Sequence, residues 1–261
     1  MYDQLHYLLA ALSGMGVGFT LGLVGGGGSI LAVPLMVYVV GVKSPHVAIG
    51  TSALAVAANA LAGLASHARI GNVNWRCGST FAAAGVMGAL AGSMLGKAID
   101  GQKLLFLFAL LMILVAVAMY RGRGQEGSDS VVCNRDNMGK VLSYGFGAGA
   151  LSGFFGIGGG FLIVPALAAS TSMAIHRAVG TSLVAVAAFG LATAASYAAS
   201  GLIDWPLAGV FVAGGMLGSV AGTAISRRLA AHKGRLGTLF AGLIFAVAFY
   251  MLVRSGMTLA G

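Results

Sequence analysis

Two short clusters of glycine interrupt long apolar segments of this 261-residue chain. The first cluster is GGGGS at residues 25–29, and the second is GIGGG at residues 156–160. Glycine weakens a helix by about 1 kcal/mol relative to alanine, so each cluster predicts a helix break. The helix that restarts after a break has free N–H groups at its N-terminus, and these groups favour an anion.

Glycine also lets the backbone approach a ligand closely, so we interpret the two clusters as a pair of anion-binding cradles. Unpaired backbone survives inside a membrane only where it is buried in protein or lines a cavity, and transporters place their substrate at such broken helices. This interpretation assigns substrate contacts to Gly25, Gly26, Gly27, Gly28, Ser29, Gly156, Gly158, Gly159 and Gly160. The scattered glycines, such as Gly85, Gly88, Gly92, Gly214, Gly218 and Gly222, are better explained by close helix packing.

A second candidate set contains hydroxyl and amide side chains inside the apolar segments. The triplet Gly-Thr-Ser occurs at residues 50–52 and again at 180–182. Its hydroxyls could donate to a substrate oxyanion or bond back to carbonyls of their own helix, and both readings stay open. The four hydroxyl residues are Thr51, Ser52, Thr181 and Ser182. Asn59 lies in the middle of another apolar stretch, where an amide contacts either a ligand or a neighbouring helix.

Three histidines are candidates for proton coupling, because the pKa of imidazole lies near neutral pH. They are His46, His67 and His176. His46 and His176 occupy equivalent positions before two apolar helices, where a structural role at the membrane interface is equally compatible with the sequence. His67 lies near Arg69 at a predicted helix end, which favours an interfacial role.

The acidic residues exclude several functions. All six of them lie in termini, loops or predicted helix ends, so we expect neither a buried carboxylate proton relay nor a carboxylate-rich metal site. No Walker, Gly-x-Ser-x-Gly or His-Glu-x-x-His sequence is present, and we predict no enzyme activity, no metal and no cofactor. Cys77 and Cys133 show neither metal nor disulfide spacing, and we interpret them as incidental.

The elements that position these residues follow from composition. The chain is 58% hydrophobic and 8% charged, whereas a soluble domain carries about 25% charged residues. Its stretches without Asp, Glu, Lys or Arg repeatedly approach or exceed the roughly 20 residues that cross a bilayer. We therefore predict an all-α, polytopic integral membrane protein. The net charge of +9 is explained by loop Lys and Arg that set topology, and we expect no nucleic-acid partner.

The chain is also an internal duplication. Residues 14–34 align without a gap on 145–165, and residues 46–66 align on 176–196. We predict an N-terminal membrane repeat at 1–120, a hydrophilic linker at 121–138 and a C-terminal repeat at 139–261. Each half is expected to contain a glycine-broken first segment and three full helices, at 46–69, 77–98 and 103–120 in the first half.

The distribution of Lys and Arg favours inverted over parallel halves. If the broken segment is a hairpin without net crossing, eleven of these residues share one side and four lie opposite. The eleven are Arg69, Arg76, Arg121, Arg123, Arg135, Lys140, Arg177, Arg227, Arg228, Lys233 and Arg235. Parallel halves would give eight against seven, so the positive-inside rule places the linker in the cytoplasm and both termini outside.

The glycine clusters, the proline after each of them and the repeated His-x-Ala-x-Gly-Thr-Ser resemble the TauE/SafE family over roughly residues 9–254. The resemblance implies a multi-pass permease of the bacterial inner membrane for sulfite, sulfoacetate or related organosulfonates, often an exporter. It implies pathway roles for the matching positions Gly25–Ser29, Thr51, Ser52, Gly156–Gly160, Thr181 and Ser182. Ser29 departs from the pattern, because the second half has Gly160 there.

The sequence therefore predicts a secondary transporter that holds a small anion between the two breaks within the lipid bilayer. Two alternatives remain at this point. One is an anion channel that uses the same site without alternating access, and the other is a membrane enzyme or an assembly subunit. The sequence does not determine the oligomeric state.

Overall fold

The computed structural model describes residues 3–121, 133, 135–156, 160–229, 242 and 244–254, and the statements below concern this part of the chain. It is all-helical, and the order α1–α5 is matched by α6–α10. The helices are α1 (Gln4–Val24), α2 (Gly28–Val39), α3 (Pro45–Arg69), α4 (Trp75–Ala98), α5 (Gly101–Arg121), α6 (Arg135–Phe155), α7 (Gly160–Thr171), α8 (Ile175–Ala198), α9 (Trp205–Leu229) and α10 (Ile244–Arg254). The first-half helices predicted at 46–69, 77–98 and 103–120 are confirmed.

Five of the described helices are long and apolar enough to cross a membrane, namely α1, α3, α4, α8 and α9. The apolar parts described for α2, α5, α7 and α10 are shorter. The protein is thus a polytopic helical membrane protein, as its composition predicts.

Helix starts are determined by local capping. The Asn74 side chain accepts a hydrogen bond from the N–H of Cys77 (3.2 Å), and Asp204 accepts one from Leu207 (3.0 Å). Each cap satisfies an N–H that the first turn of α4 or α9 cannot pair. At the ends of α3 and α8, Gly71 and Gly201 adopt positive φ, which glycine allows without steric cost.

The glycine clusters end α1 and α6 as predicted. After Val24 the chain continues in 3₁₀ geometry over Gly25–Leu31, whose last four residues form the first turn of α2. Gly28 packs against the backbone of Thr20 and Leu21. Residue 41 returns to the beginning of α1, where a Cβ on Gly41 would lie 4.0 Å from His6 Nε2. The broken segment α1–α2 is therefore a hairpin.

Each half packs its first helix against the fourth helix of the other half. Along α1 and α9, a Cβ on Gly14, Gly18 or Gly22 would collide with the carbonyl oxygen of Phe211, Gly215 or Ser219. Along α6 and α4, the equivalent Gly145, Gly149 and Gly153 meet Phe81, Gly85 and Ala89 in the same way. The scattered glycines also face neighbouring backbone, which confirms their packing role.

The equivalent helices α3 and α8 run antiparallel against each other. Gly50, near the start of α3, packs on Tyr197 near the end of α8, and Gly63 packs near Leu183 at the opposite level. We call face A the side with Ser44 and Ser200, and face B the side with Ile70 and Ala174. The start of α9 lies at face A, and the start of α4 lies at face B.

The interpretation of the cysteines as incidental is wrong. Cys77 and Cys133 form a disulfide, with their Cα atoms 5.5 Å apart and a sequence separation of 56. Local spacing could not indicate this pair, because it depends on α6 packing along α4. That packing brings the residue just before α6 to the first turn of α4 at face B.

Candidate functional site

The two breaks belong to one contact region. The Gly25–Leu31 segment contacts both α7 and α8, so the first break meets the helix that restarts after the second. Ser29 and Gly160 are buried there. Gly156 has φ +67° and packs against Ile49 of α3, which links the second break to the first half. Of the predicted cradle residues, Gly158 and Gly159 lie outside the described part, and Gly25–Gly27 are described by their backbone alone.

The two Gly-Thr-Ser threonines bind the opposite half. Thr181 Oγ1 accepts a hydrogen bond from the backbone N–H of Asn74 (2.9 Å), and Thr51 Oγ1 accepts one from Asp204 (3.0 Å). Both hydroxyls are buried, and both donors belong to the N-cap residues of α4 and α9. One bond lies at face B and its twin at face A. We call this pair the threonine latches.

The serines of the same triplets bond within their own helices. Ser52 donates to the carbonyl oxygen of Ile49 (3.0 Å), and Ser182 donates to Val179 (2.7 Å). This is the back-bonding alternative that the sequence left open. Each serine oxygen keeps lone pairs but uses its only proton in the helix.

Asn59 is fully buried, and neither Oδ1 nor Nδ2 has a hydrogen-bond partner among the described residues. The amide packs directly on Gly215 of α9. Its equivalent in the second half is Phe189, whose ring packs on the equivalent Gly85 and stacks on Phe81 at 6.2 Å. A buried amide without partners costs about 1–3 kcal/mol, and the second half avoids this cost with an aromatic ring.

The predicted histidines lie near the membrane faces. The ring centroid of His46 lies 6.5 Å from that of Tyr197, and His46 Nδ1 has no described partner. His67 is in the last turn of α3 next to Arg69. The side chain of His176 is outside the described part. The structure therefore brings His46, but not His67, beside the end of α8 at face A.

Sequence reasoning missed a polar network around Lys97. The Lys97 ammonium donates to the Ser196 carbonyl oxygen and to Ser200 Oγ, each at 3.0 Å, and lies 5.7 Å from the centre of the Tyr197 ring. Ser93 and Ser196 share a hydrogen bond of 2.8 Å. The duplication offered a signal, because Lys97 aligns on the basic Arg227.

An open cavity of about 230 Å³ lies at face A, outside the residues predicted from the sequence. Lys43, Gln102, Tyr38 and Arg254 line it, so its wall carries two cationic side chains and one aromatic ring. Within the described residues, no group of three His, Cys, Asp or Glu side chains could hold a metal ion.

The described residues form ten helices, nine of which are apolar. With glycine-broken segments in both halves and buried polar groups at their contacts, this arrangement fits the class of multi-pass membrane transporters. The family model described as "Sulfite exporter TauE/SafE" matches residues 10–251, and the chain belongs to this family. It is a transporter family and not an enzyme family.

Curated relatives carry the same general description. A "Probable membrane transporter protein" of Xylella fastidiosa (strain 9a5c) is 49% identical over 253 residues, covering 95% of each chain. "Probable membrane transporter protein YunE" of Bacillus subtilis is 26% identical over 246 residues, covering 86% of this chain and 90% of the relative. YdhB of the same organism, with the same description, is 27% identical over 213 residues, covering 79% and 84%. No solved structure matches the chain.

Proposed function

We propose that this protein is a secondary transporter that exports a small sulfur-containing anion, such as sulfite or sulfoacetate, across the bacterial inner membrane. The family description names sulfite export, and the chain matches that family over nearly its whole length.

The observation that carries the proposal is the antiparallel contact between α3 and α8. These helices are equivalent in the duplication, and an axis that relates antiparallel helices runs perpendicular to them. Such an axis lies in the membrane plane, so the two halves, 1–120 and 139–261, are inverted repeats joined by the linker at 121–138. Inverted repeats supply two equivalent, oppositely facing arrangements of one protein, which is the basis of alternating access.

The substrate site lies where the Gly25–Leu31 segment meets α7 and α8. The start of α7 presents the N–H groups of a helix N-terminus, which favour an oxyanion. Gly28 and Gly156 leave no room for a Cβ, because Gly28 lies against the backbone of Leu21 and Gly156 lies against the side chain of Ile49. Ser29, Thr51, Thr181 and Asn59 are buried polar groups, and we assign them to the pathway.

The threonine latches act as the two gates. Each joins the two halves at one face, and the two-fold relation makes them equivalent in strength. Rocking one bundle against the other breaks the Thr51–Asp204 bond to open face A or the Thr181–Asn74 bond to open face B. A neutral hydrogen bond contributes about 1 kcal/mol. Each threonine latch therefore favours the closed form of its face but still allows that face to open.

Export needs no coupling ion in this scheme. Face B contains the larger set of Lys and Arg and is therefore the cytoplasmic face. Each negative charge that leaves a negative cytoplasm gains about 2.3 kcal/mol per 100 mV. The four described acidic residues lie in the N-terminal, loop or helix-end positions predicted from the sequence, which supports voltage rather than a carboxylate relay as the driving force.

The test uses the purified full-length chain in proteoliposomes loaded with sulfite, with an imposed membrane potential and with or without a pH gradient. We expect saturable efflux driven by voltage alone. A current that does not saturate with sulfite concentration would indicate a channel and not a carrier. Efflux that requires the pH gradient would indicate proton coupling, for which His46, His67 and His176 are the candidate residues. Absence of efflux for sulfite and for sulfoacetate would overturn the proposed substrate class.

A further inference from the structure

The Cys77–Cys133 disulfide lies at face B, which carries most of the Lys and Arg residues. Under the proposed function this is the cytoplasmic face. Cytoplasmic thiols are kept reduced, and disulfides found there in most organisms are transient or redox-sensing. The position of this bond is therefore unexpected for a purely structural crosslink.

We propose that the Cys77–Cys133 pair is a reversible modification site. A two-electron oxidant of the peroxide class forms its disulfide, sulfur nucleophiles of the cytoplasm cleave it, and cleavage speeds transport. The proposal takes the orientation of face B and, for one of its two nucleophiles, the substrate class from the proposed function. The two cysteines are the only ones in the chain, so no other thiol competes for either partner.

The disulfide is built into the gate at face B. Cys77 is in the first turn of α4, and its N–H is bound by Asn74, the residue whose own N–H donates to Thr181. The next residue, Gly78, has Thr181 Cγ2 as a close neighbour, at 3.2 Å from the position of an added Cβ. The bond thus joins the chain before α6 to the same turn that carries the Asn74–Thr181 latch.

Cleavage would loosen this turn without unfolding a helix. Cys133 lies outside any helix, two residues before the start of α6. Both cysteines are fully buried, so attack requires Cys133 to move away from α4. With the bond intact, α4, the latch and the chain entering α6 move as one body, and opening at face B is slow.

Two nucleophiles of one chemical type can perform the cleavage. The thiolate of a low-molecular-weight thiol attacks one sulfur, the S–S bond breaks, one cysteine leaves as thiolate, and a second thiol releases the other cysteine as the small disulfide forms. Sulfite attacks in the same way and remains attached as an S-sulfocysteine, while the other cysteine leaves as thiolate. The thiol route yields two free cysteines, and the sulfite route yields one.

The experiment counts free thiols by the gel shift of a polyethylene-glycol maleimide after acid quenching of cells that express the full chain. We expect two adducts in untreated cells and none after a thiol oxidant. Oxidised protein in membranes should give two adducts after dithiothreitol and one after sulfite. The single variants Cys77→Ser and Cys133→Ser are controls that should give one adduct regardless of the oxidant.

No adduct in untreated cells would overturn the proposal, because the disulfide would then be permanent. Two adducts both before and after the oxidant would also overturn it, because no disulfide would have formed. Sulfite efflux from proteoliposomes should be several-fold faster for reduced than for oxidised protein, and the Cys77→Ser, Cys133→Ser double variant should lose this difference. Equal efflux rates for reduced and oxidised protein would show that the disulfide does not regulate transport. If no preparation transports sulfite, the proposed function fails, whereas the adduct count still decides the modification site.

Discussion

The backbone N–H of Asp204 donates a 3.0 Å hydrogen bond to Thr51 Oγ1, across 153 residues of sequence and between the two halves of the molecule. Asn74 and Thr181 form the twin of this bond at the opposite face. The Gly-Thr-Ser motif therefore joins the two halves, once at face A and once at face B.

Replacement of each latch threonine by valine should shift the protein towards opposite openings. Thr181→Val removes the acceptor for Asn74, so a cysteine reporter at face B should react faster with a membrane-impermeant maleimide. Thr51→Val should have this effect at face A. Each loss corresponds to about 1 kcal/mol, or roughly a fivefold change in the open population. The measurement is the labelling rate from each side of oriented membranes.

The control for the latches is Thr80→Val, because the hydroxyl of half-buried Thr80 donates to the Arg76 carbonyl oxygen of its own helix and joins no other helix among the described residues. It should leave labelling at both faces unchanged. If both latch variants open the same face, or neither face, the threonines are not gates.

Asn59→Leu should stabilise the protein and impair transport. The amide has no partner among the described residues, so its replacement by an apolar side chain of similar size removes an unpaired polar group, a gain of about 1–3 kcal/mol. Thermal unfolding in detergent and the KM for efflux measure the two effects. Phe189→Leu at the equivalent position is the control, and it should lower stability through loss of ring packing. A less stable but fully active Asn59→Leu variant would make Asn59 a structural residue.

Close backbone contact at the breaks should be required for transport. Gly28→Ala places a Cβ against the backbone of Leu21, and Gly156→Ala places one against Ile49. We expect both variants to insert into the membrane and to lose efflux. Gly201→Ala is the matched control for Gly156→Ala, because its φ of +68° imposes the same strain but nothing lies within 4 Å of the new Cβ. Equal losses in these two variants would attribute the effect to backbone strain alone.

The crossing of α1 and α9 should tolerate no side chain at its centre. A Cβ on Gly18 would collide with the carbonyl oxygen of Gly215, whereas a Cβ on Gly16 has open space. Gly18→Ala should therefore lower the yield of folded protein, and Gly16→Ala should preserve or slightly raise stability through its better helix propensity. Size-exclusion profiles and thermal unfolding separate the two variants, and similar behaviour would show that this crossing is loosely packed.

Ile70→Cys and Ser200→Cys test the relative orientation of the halves. The positions are equivalent in the duplication, and both are exposed at the ends of the α3–α4 and α8–α9 connections. In a background without Cys77 and Cys133, inverted repeats predict labelling from opposite sides of the membrane. Labelling of both from one side would make the halves parallel and would remove the basis for alternating access.

Much of the fold could be predicted, because the bilayer requires long apolar helices whose backbone is internally paired. Uncharged stretches therefore indicated α3, α4 and α5 to within about two residues, and the glycine clusters indicated where α1 and α6 end. The prediction failed for Cys77 and Cys133, since no local rule relates residues that meet only when α6 packs along α4. It also missed the network around Lys97, although the alignment of Lys97 on Arg227 was visible.

By itself, the sequence determined the class of protein, the duplication and the helix breaks, because each depends on local composition or on comparison of the chain with itself. Only the tertiary structure decided which partners the buried polar groups have. Thr51 and Thr181 bond across the halves, Ser52 and Ser182 bond within their helices, and the Asn59 amide meets the backbone of Gly215. The partner of each buried polar group depends on how helices far apart in sequence cross. The glycines that allow two helix backbones to touch determine those crossings.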